Sequence, residues 1–468
     1  MRSRINQFLR LCEITSVFLS FSFYIFVWSK IKKESEEKRA IFLRQSLEKL
    51  GSVFIKFGQM LALRPDILSD IYCNELYKLL DNVPPFPKHF IEEIINKELD
   101  STTAKLFSKF DFIPTASASF AQVHKAQLMD GSIVAVKIQR PNIKKNVDSD
   151  LSLLKKIAFI IDIIFKPANK MKKIVEEFEM WTQNELDYEL EAENIEKFND
   201  LQNIVKDGIR APMIFRKYST KKVLVMEYVD GFSLSQIIQA NRDKNTDILK
   251  KLKSLGFDGK KVVNKLIRNT LEMSHVYGFF HADPHPANVI FNEKGELIFI
   301  DFGIIGVLSK KERVLILRYL RSMLTGNFDD AFNSLVSLCG ENTSVNLEDV
   351  KKKYKSISEK LSSTFSSQTY LEQQKKSGPI LVETLNLLQR NGFKVPVSIV
   401  RYFKAFETIE GLIFALYPEL QIKNMVKEFK RVSILNIIDS LPASLEEINL
   451  NDIMLKLISS IEDALLLK

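Results

Sequence analysis

The sequence predicts an α+β protein in two lobes, a small β-containing lobe and then a larger, mainly helical one, preceded by an all-helical extension. Three observations predict it. Residues 121–139, AQVHKAQLMDGSIVAVKIQ, hold two β-compatible runs around Met129-Asp130-Gly131, and Asp-Gly between such runs is a strong hairpin signal. Lys222 to Val229, KVLVMEYV, reads as a buried strand. The chain after it is helix-compatible except for NVIFNEKGELIFI, a short strand pair turning at Asn292 to Gly295.

Taken in order, Glu34 to Leu99 has a helical pattern, with Arg39 to Gly58 as one long segment and the proline cluster from Asn82 to Pro87 as the break. Asn146 to Phe165 and Lys172 to Asp200 read as helices, and the Lys-, Ser- and Gln-rich stretch from Ser344 to Gly378 as a mobile connection. The organisation expected is residues 1–33 as an apolar and basic segment, 34–100 as the helical extension, 101–230 as the small lobe, 231–430 as the large lobe and 431–468 as a helical tail. In that tail Ile453, Leu457, Ile461 and Leu465 make one amphipathic stripe, expected to pack on the large lobe, with a membrane or partner as the alternative.

Composition narrows the class. At 468 residues, with 46% hydrophobic and 27% charged side chains, the chain has the make-up of a globular protein of about three domain-sized units, not a disordered, fibrous or multi-span membrane one. Cys12, Cys73 and Cys339 are odd in number and lack metal spacing, which argues for a reducing compartment. The net charge is +9, of which ten basic less five acidic residues in the first fifty supply +5. Beside that basic excess lies Ile14 to Trp28, an uncharged run shorter than the roughly 20 residues a spanning helix needs. It has no small-residue cleavage site, so the segment is retained and the protein is not secreted. The expectation is association with the cytoplasmic face of a membrane, peripherally or through a single N-terminal anchor, with a helix packed on the protein's own surface as the alternative. Nucleic acid is not an expected partner.

The chemistry lies in three places. Val134-Ala135-Val136-Lys137 ends a β-branched strand in a lysine. Phe280 to Asn288, FHADPHPAN, sets Asp283 and Asn288 five positions apart in a proline-held loop. After a hairpin comes Asp301-Phe302-Gly303. This order suits phosphoryl transfer from ATP: Lys137 on the α/β-phosphates, Asp283 near the attacking oxygen, Asn288 and Asp301 on Mg²⁺. The competing reading makes His281, Asp283 and His285 ligands of a transition metal, which leaves Lys137 and Asp301 idle.

Over about Arg39 to Leu420 the chain resembles the UbiB or AarF type of atypical protein-kinase-like proteins, often linked to ubiquinone biosynthesis. The marks are Lys56-Phe57-Gly58-Gln59, Leu63-Arg64-Pro65-Asp66, the loop Pro114 to His124 (PTASASFAQVH), Glu185-Leu186-Asp187, Glu191-Ala192-Glu193-Asn194 and Gly278 to Asn288. The departures, Ala287 where glycine is common and Ser117 where alanine is usual, remove no ligand. The resemblance implies a protein-kinase-like fold for the two lobes. It makes Glu191 the ion-pair partner of Lys137, and gives Ala116, Ser117, Ala118 and Ser119 the place of the glycine-rich phosphate loop. Without glycine, phosphate would be held differently there. Backbone groups of Glu227 and Val229 would bind adenine. Lys56 would pair with Glu185 and Asp187, and Gln59 would point into the cleft, so that the extension blocks large protein substrates.

The function expected is a membrane-associated, Mg-ATP-dependent atypical kinase or ATPase supporting isoprenoid-quinone or lipid metabolism. Its expected partners are ATP, a membrane lipid or quinone precursor, and quinone-biosynthesis enzymes; the quinone link rests on the resemblance alone. A nucleotide-binding scaffold without useful turnover is the main alternative, and a conventional protein or small-molecule kinase a further one.

Overall fold

The computed structural model describes residues 2–24, 28, 31–62, 68–76, 78–79, 83–165, 171–205, 208–340, 345–365, 383–385, 387–388, 391–420 and 422–439. Residues 25–27 of the apolar run, the Leu63-Arg64-Pro65-Asp66 mark, Asn82 at the head of the proline cluster, Ser344 and residues 366–378 of the expected connection and the stripe from Ile453 to Leu465 lie outside them.

The extension begins with helices α1 (Arg2–Phe23), α2 (Glu36–Leu50), α3 (Ser52–Ala62), α4 (Asp70–Leu76) and α5 (Lys88–Leu99). The long helix expected over Arg39 to Gly58 is two. Gly51 breaks it at φ 86°, a left-handed conformation that suits glycine, and its amide donates to the Leu47 and Glu48 carbonyls. At Gly58 a Cβ would sit 2.4 Å from Leu79 Cδ1 and 2.7 Å from Leu47 Cδ1, so glycine lets α3 lie close against its neighbours. Ile14 and Val17 of α1 are buried among Leu47, Leu50, Val53 and Phe54, while Arg10 grips Asp150 at 2.8 Å. One face of the N-terminal apolar run therefore packs on the protein's own surface. No helix of the described residues is long and apolar enough to cross a membrane.

A short helix, α6 (Thr103–Leu106), leads into the small-lobe sheet: β1 (Phe107–Phe110), β2 (Ala116–Ser117), β3 (Ala121–Leu128) and β4 (Ile133–Gln139). The sheet is completed later in the chain by β6 (Val223–Glu227), in the order β1-β3-β4-β6, with β2 on β3. The Asp130-Gly131 hairpin forms as predicted, and every pair is antiparallel. The period-2 side-chain alternation of β4 sorts its residues to two sides. Val134, Val136 and Ile138 are fully buried against Ile91 and Ile95 of α5, each worth roughly 1.5–3 kcal/mol. Ala135 and Lys137 face the other way.

Three helices follow: α7 (Ile143–Phe165), α8 (Met171–Glu185) and α9 (Tyr188–Val205). The second expected helix is interrupted at Leu186-Asp187, where Asp187 accepts from the Glu189 amide and starts α9. Helices α7 and α8 share their apolar core with the extension, through Ile143, Val147, Leu151, Ile174 and Phe178. Strand β5 (Ile209–Arg210) and β6 (Val223–Glu227) precede the large lobe.

The large lobe holds β7 (Gly231–Ser233), α10 (Leu234–Asp243), α11 (Thr246–Ser254) and α12 (Gly259–Glu272), which runs on into a π turn at Met273–Tyr277. Then come β8 (Phe279–His281), β9 (Val289–Asn292), β10 (Leu297–Phe299), β11 (Ile305–Val307), α13 (Lys310–Leu324), α14 (Phe328–Cys339), α15 (Leu347–Phe365), α16 (Val397–Leu416) and α17 (Ile422–Asp439). Ser233 with Gln236 and Ser309 with Glu312 form capping boxes that start α10 and α13. Helix α15 corrects the expectation of a mobile connection over its span: Val350, Tyr354 and Ile357 are buried on one helical face among the polar residues.

Candidate active site

Lys137 stands on the inward side of β4, opposite the first turn of α9. Its Nζ donates to both oxygens of Glu191, at 2.7 and 2.9 Å, and lies 4.0 Å from Asp301 Oδ1. Burial opposes the charge on Lys137, but Glu191 and Asp301 together hold its ammonium above the ordinary lysine value. Burial, with Asp301 nearby, pushes the Glu191 carboxyl upward against the pull of Lys137. The cleft desolvates Asp301, which raises its carboxyl, but Lys137, the Gly303 amide and Lys56 outweigh that and leave it below the usual range.

Gly303 N donates to Asp301 Oδ1 at 3.0 Å, which fixes the carboxylate over the turn. Phe302 is fully buried, edge-on to Phe198 of α9 at 5.0 Å and to the His281 ring at 5.1 Å. His281 ties the two loops together: Nε2 meets the Asp301 carbonyl and Nδ1 accepts from the Asp283 amide at 3.2 Å. With both ring nitrogens of His281 engaged, the rival transition-metal reading loses that imidazole, and His285 Nδ1 is taken by Ala287 N. No cluster of three metal-ligating side chains exists among the described residues.

Asn288 Nδ2 reaches back to the Asp283 carbonyl at 3.4 Å, and the Asn288 carbonyl accepts from Ile300 N, so Asn288, just before β9, and Asp301, just after β10, lie at neighbouring ends of the strand pair. Asp283 Oδ1 lies 3.4 Å from Lys404 Nζ of α16. The sequence reading missed Lys404. It follows Asp283 by 404 − 283 = 121 residues, and only the packing of α16 across β8 and β11 brings it there.

The phosphate-loop candidates form a tight hairpin held from the extension. Ala118 N donates to Ala121 O, while Arg140 donates to the Ala118 carbonyl at 2.8 Å, the Ser117 hydroxyl at 2.9 Å and the Pro84 carbonyl at 3.0 Å. Ser117 donates in turn to the Val83 carbonyl. Ala116 is exposed and Ser119 fully buried, so the Ser119 hydroxyl is not presented to solvent in the cleft as expected for this loop.

Lys56 meets Glu185 at 2.6 Å, the two side chains 14% and 22% exposed, and Glu185 Cγ lies against Gly303, 3.9 Å from where its Cβ would be. Two expectations here are corrected. Asp187 turns to Lys221 at 3.6 Å, because its place at the start of α9 aims it away from Lys56. Gln59 donates to the Leu79 carbonyl at 3.2 Å, so its amide serves the extension's own backbone. At the proposed hinge, Glu227 N donates to Met213 O and its carboxylate is gripped by Arg210 at 2.7 and 2.8 Å. Val229 follows where β6 ends.

This geometry agrees with what the chain is similar to. The profile of the ABC1 atypical kinase-like domain matches residues 78–335, over half of the chain. The chain belongs to the ABC1 atypical kinase-like family. That family covers the UbiB and AarF type, and the α+β two-lobed kinase-like fold is as predicted. A Clostridium pasteurianum protein described as an uncharacterized protein in the hydrogenase 1 5′ region is 35% identical over 428 residues, covering 90% of this chain and 76% of its own. Activity of BC1 complex kinase 7, a chloroplastic protein of Arabidopsis thaliana, is 31% identical over 84% of this chain, which spans only 55% of that relative's length. Among solved structures, the Rv3197–erythromycin complex from Mycobacterium tuberculosis superposes with a TM-score of 0.52 at 22% identity, covering 86% of this chain and 98% of its own, a likeness of fold alone.

Proposed function

We propose that this ABC1-family chain is a Mg-ATP-dependent atypical kinase or ATPase that works at a membrane surface, with its helical extension standing where a protein substrate would enter. The observation that carries the reading is that Glu191 and Asp301 both lie within hydrogen-bonding or ion-pairing reach of Lys137, with Asn288 and Asp283 joined nearby. A lysine locked by a carboxylate and two neighbouring oxygen donors is the donor set that Mg²⁺ and phosphates require.

Asn288 and Asp301 would hold Mg²⁺, Lys137 the α/β-phosphates, and the Glu227 carbonyl and Val229 backbone the adenine. Bound Mg-ATP supplies the transferable phosphoryl group. Glu191 keeps Lys137 charged and aimed into the cleft. Asp283 orients the hydroxyl or water that attacks and takes its proton, and Lys404 sets a positive charge beside that carboxylate.

The membrane part is supported by large apolar side chains left in solvent: Leu19 and Phe23 on α1, Trp28 and Ile31 after it, and Phe159, Ile160 and Ile163 on α7. These adjoin the basic N-terminal sequence, which suits an anionic lipid surface and peripheral contact at a cytoplasmic face. A lipid or quinone precursor as acceptor, service to isoprenoid-quinone or lipid metabolism and quinone-biosynthesis enzymes as partners are supported by the resemblance to the UbiB type. One observation favours the scaffold alternative: Ala118 N is already engaged by Ala121 O, so that amide is withheld from a phosphate.

ATP hydrolysis by the purified chain, with and without anionic liposomes and with Asp301→Asn as the blank, tests the proposal. Lipid-stimulated turnover absent from the variant is the expected result. Wild type and variant equally silent, although wild type binds Mg-ATP, would leave the scaffold.

A further inference from the structure

Helix α16 brings a further lysine to the cleft on a fixed backbone. Tyr402, Phe403 and Ala405 are buried, and the Tyr402 hydroxyl meets the His275 ring, so the helix is seated in the large-lobe core on either side of Lys404. One turn earlier Arg401 donates to the Ile305 carbonyl at 3.0 Å, which ties the same helix to the strand that follows Asp301-Phe302-Gly303. The Lys404 side chain, 18% exposed, is thereby carried to Asp283.

The lysines of the site are held differently. Lys137 gives its ammonium to both oxygens of Glu191, at 2.7 and 2.9 Å, and Lys56 is taken by Glu185 at 2.6 Å. Lys404 faces a single oxygen of Asp283 at 3.4 Å, longer than the about 2.7–2.9 Å of a charge-assisted hydrogen bond. Glu407, three residues on, acts on it electrostatically without an ion pair among the described residues. An ammonium carries three N–H donors, so Lys404 can stay beside Asp283 and take a second anion. The charges of the cleft say which anion. With Lys137 on the α/β-phosphates and Mg²⁺ on Asn288 and Asp301, positive charge gathers where ADP leaves. On the attacking side stands Asp283, a carboxylate that would repel the γ-phosphate unless a cation lay between them. Lys404 is the cation the structure puts there.

We propose that Lys404 binds the γ-phosphate of ATP and is the residue by which this chain tells ATP from ADP. The inference deepens the nucleotide reading above and rests on it. In the transfer the attacking oxygen bonds to the γ-phosphorus and gives its proton to Asp283, while the bond from that phosphorus to the bridging oxygen breaks and leaves its electron pair on ADP. Lys404 moves no proton. Its ammonium holds an equatorial oxygen of the group in transit, where the α16 backbone, anchored through Arg401 and Tyr402, keeps it.

Calorimetric titration of the full chain with Mg-ADP and with Mg-AMP-PNP, an ATP analogue whose bridging nitrogen blocks turnover, reads this contact without requiring catalysis. In Lys404→Met the dissociation constant for Mg-AMP-PNP should rise at least about tenfold and that for Mg-ADP less than about twofold, since ADP has no γ-phosphate to lose. Should Lys404→Met fail to fold, Lys404→Gln gives the same comparison. Equal weakening of the two nucleotides would mean that Lys404 only shapes the site, and no weakening of either that it stays on Asp283. Each of these overturns the inference and leaves the nucleotide reading standing. A wild type that binds neither nucleotide overturns that reading, and this inference with it.

Discussion

Replacing Glu191 by Gln keeps the volume of the side chain and removes one charge from the most buried ion pair of the site. Glu191 is 3% exposed and Lys137 17%, and both carboxylate oxygens are within 2.9 Å of Nζ. Breaking a buried pair by deleting one partner costs about 3–5 kcal/mol, because the remaining charge is left in low dielectric. Asp301, 4.0 Å from the same nitrogen, offers a partial substitute, so the loss should fall at the lower end, about 3 kcal/mol. Lys137→Met should cost a similar amount by stranding Glu191. The double variant Lys137→Met/Glu191→Gln removes both charges and should be more stable than the sum of the single losses predicts by at least about 2 kcal/mol. Equilibrium urea denaturation of the four proteins measures the cycle, and titration with Mg-ATP follows alongside. Additive losses would refute the argument, since they would mean the two charges are solvated independently and the 2.7 Å contact carries no coupling.

Lys404→Met should lower ATP turnover tenfold or more while moving the urea midpoint little, because the pair with Asp283 is partly solvated; equal turnover in the two proteins would remove Lys404 from the site. Lys56→Met should speed deuterium uptake at the amides of α3 and around Gly303, and unchanged uptake in both would show that the Glu185 contact does not hold the extension down. His275 is buried with Nε2 on the Tyr402 hydroxyl at 2.8 Å, and burial, helped by Arg313, lowers its pKa to about 3. The depressed value means its contribution is present above the unfolded pKa near 6.5 and is lost as pH falls toward 3, about 2 kcal/mol between pH 6.5 and 5. In His275→Gln the acid limb of a stability-against-pH curve should flatten by that amount, and an unchanged limb would contradict the assignment.

What the sequence disclosed follows from what has a period or a fixed local order. The alternation of Val134, Val136 and Ile138 with Ala135 and Lys137 announces a strand with two unlike sides, and the order lysine, Asp-x4-Asn, Asp-Phe-Gly announces the site. What it hid depends on packing between distant segments. Lys404 beside Asp283 has no local signature, nor do Arg140 under the phosphate-loop hairpin and Arg210 under Glu227. The break at Gly51 was open to reading, since a glycine inside a helical pattern is a candidate stop. Likewise Val350, Tyr354 and Ile357 carry helical spacing that a Lys- and Ser-rich composition obscures. At Asp187 the helix start is legible in principle, as an aspartate two residues ahead of Glu189, whereas the family pattern pairs that aspartate with Lys56.

The extension touches the site at two separate points, and their separation has a consequence. Arg140 bonds the Ala118 carbonyl and the Ser117 hydroxyl while also holding the Pro84 carbonyl, so the hairpin is tied to the proline segment. Lys56 reaches Glu185 beside Gly303 and adds to the positive field that keeps Asp301 ionised. The extension thus restrains, at two points, the hairpin expected to cover phosphate and the turn expected to hold metal. Displacing it would loosen both together, whereas a change in either lobe alone would loosen one. A membrane surface that engaged Leu19 and Phe23 of α1 would act on the extension through the core that Ile14 and Val17 share with α2 and α3. Stimulation by lipid, if it follows this route, should therefore weaken in Lys56→Met and in Arg140→Met alike, while mutations in the large lobe leave the ratio of stimulated to basal turnover unchanged.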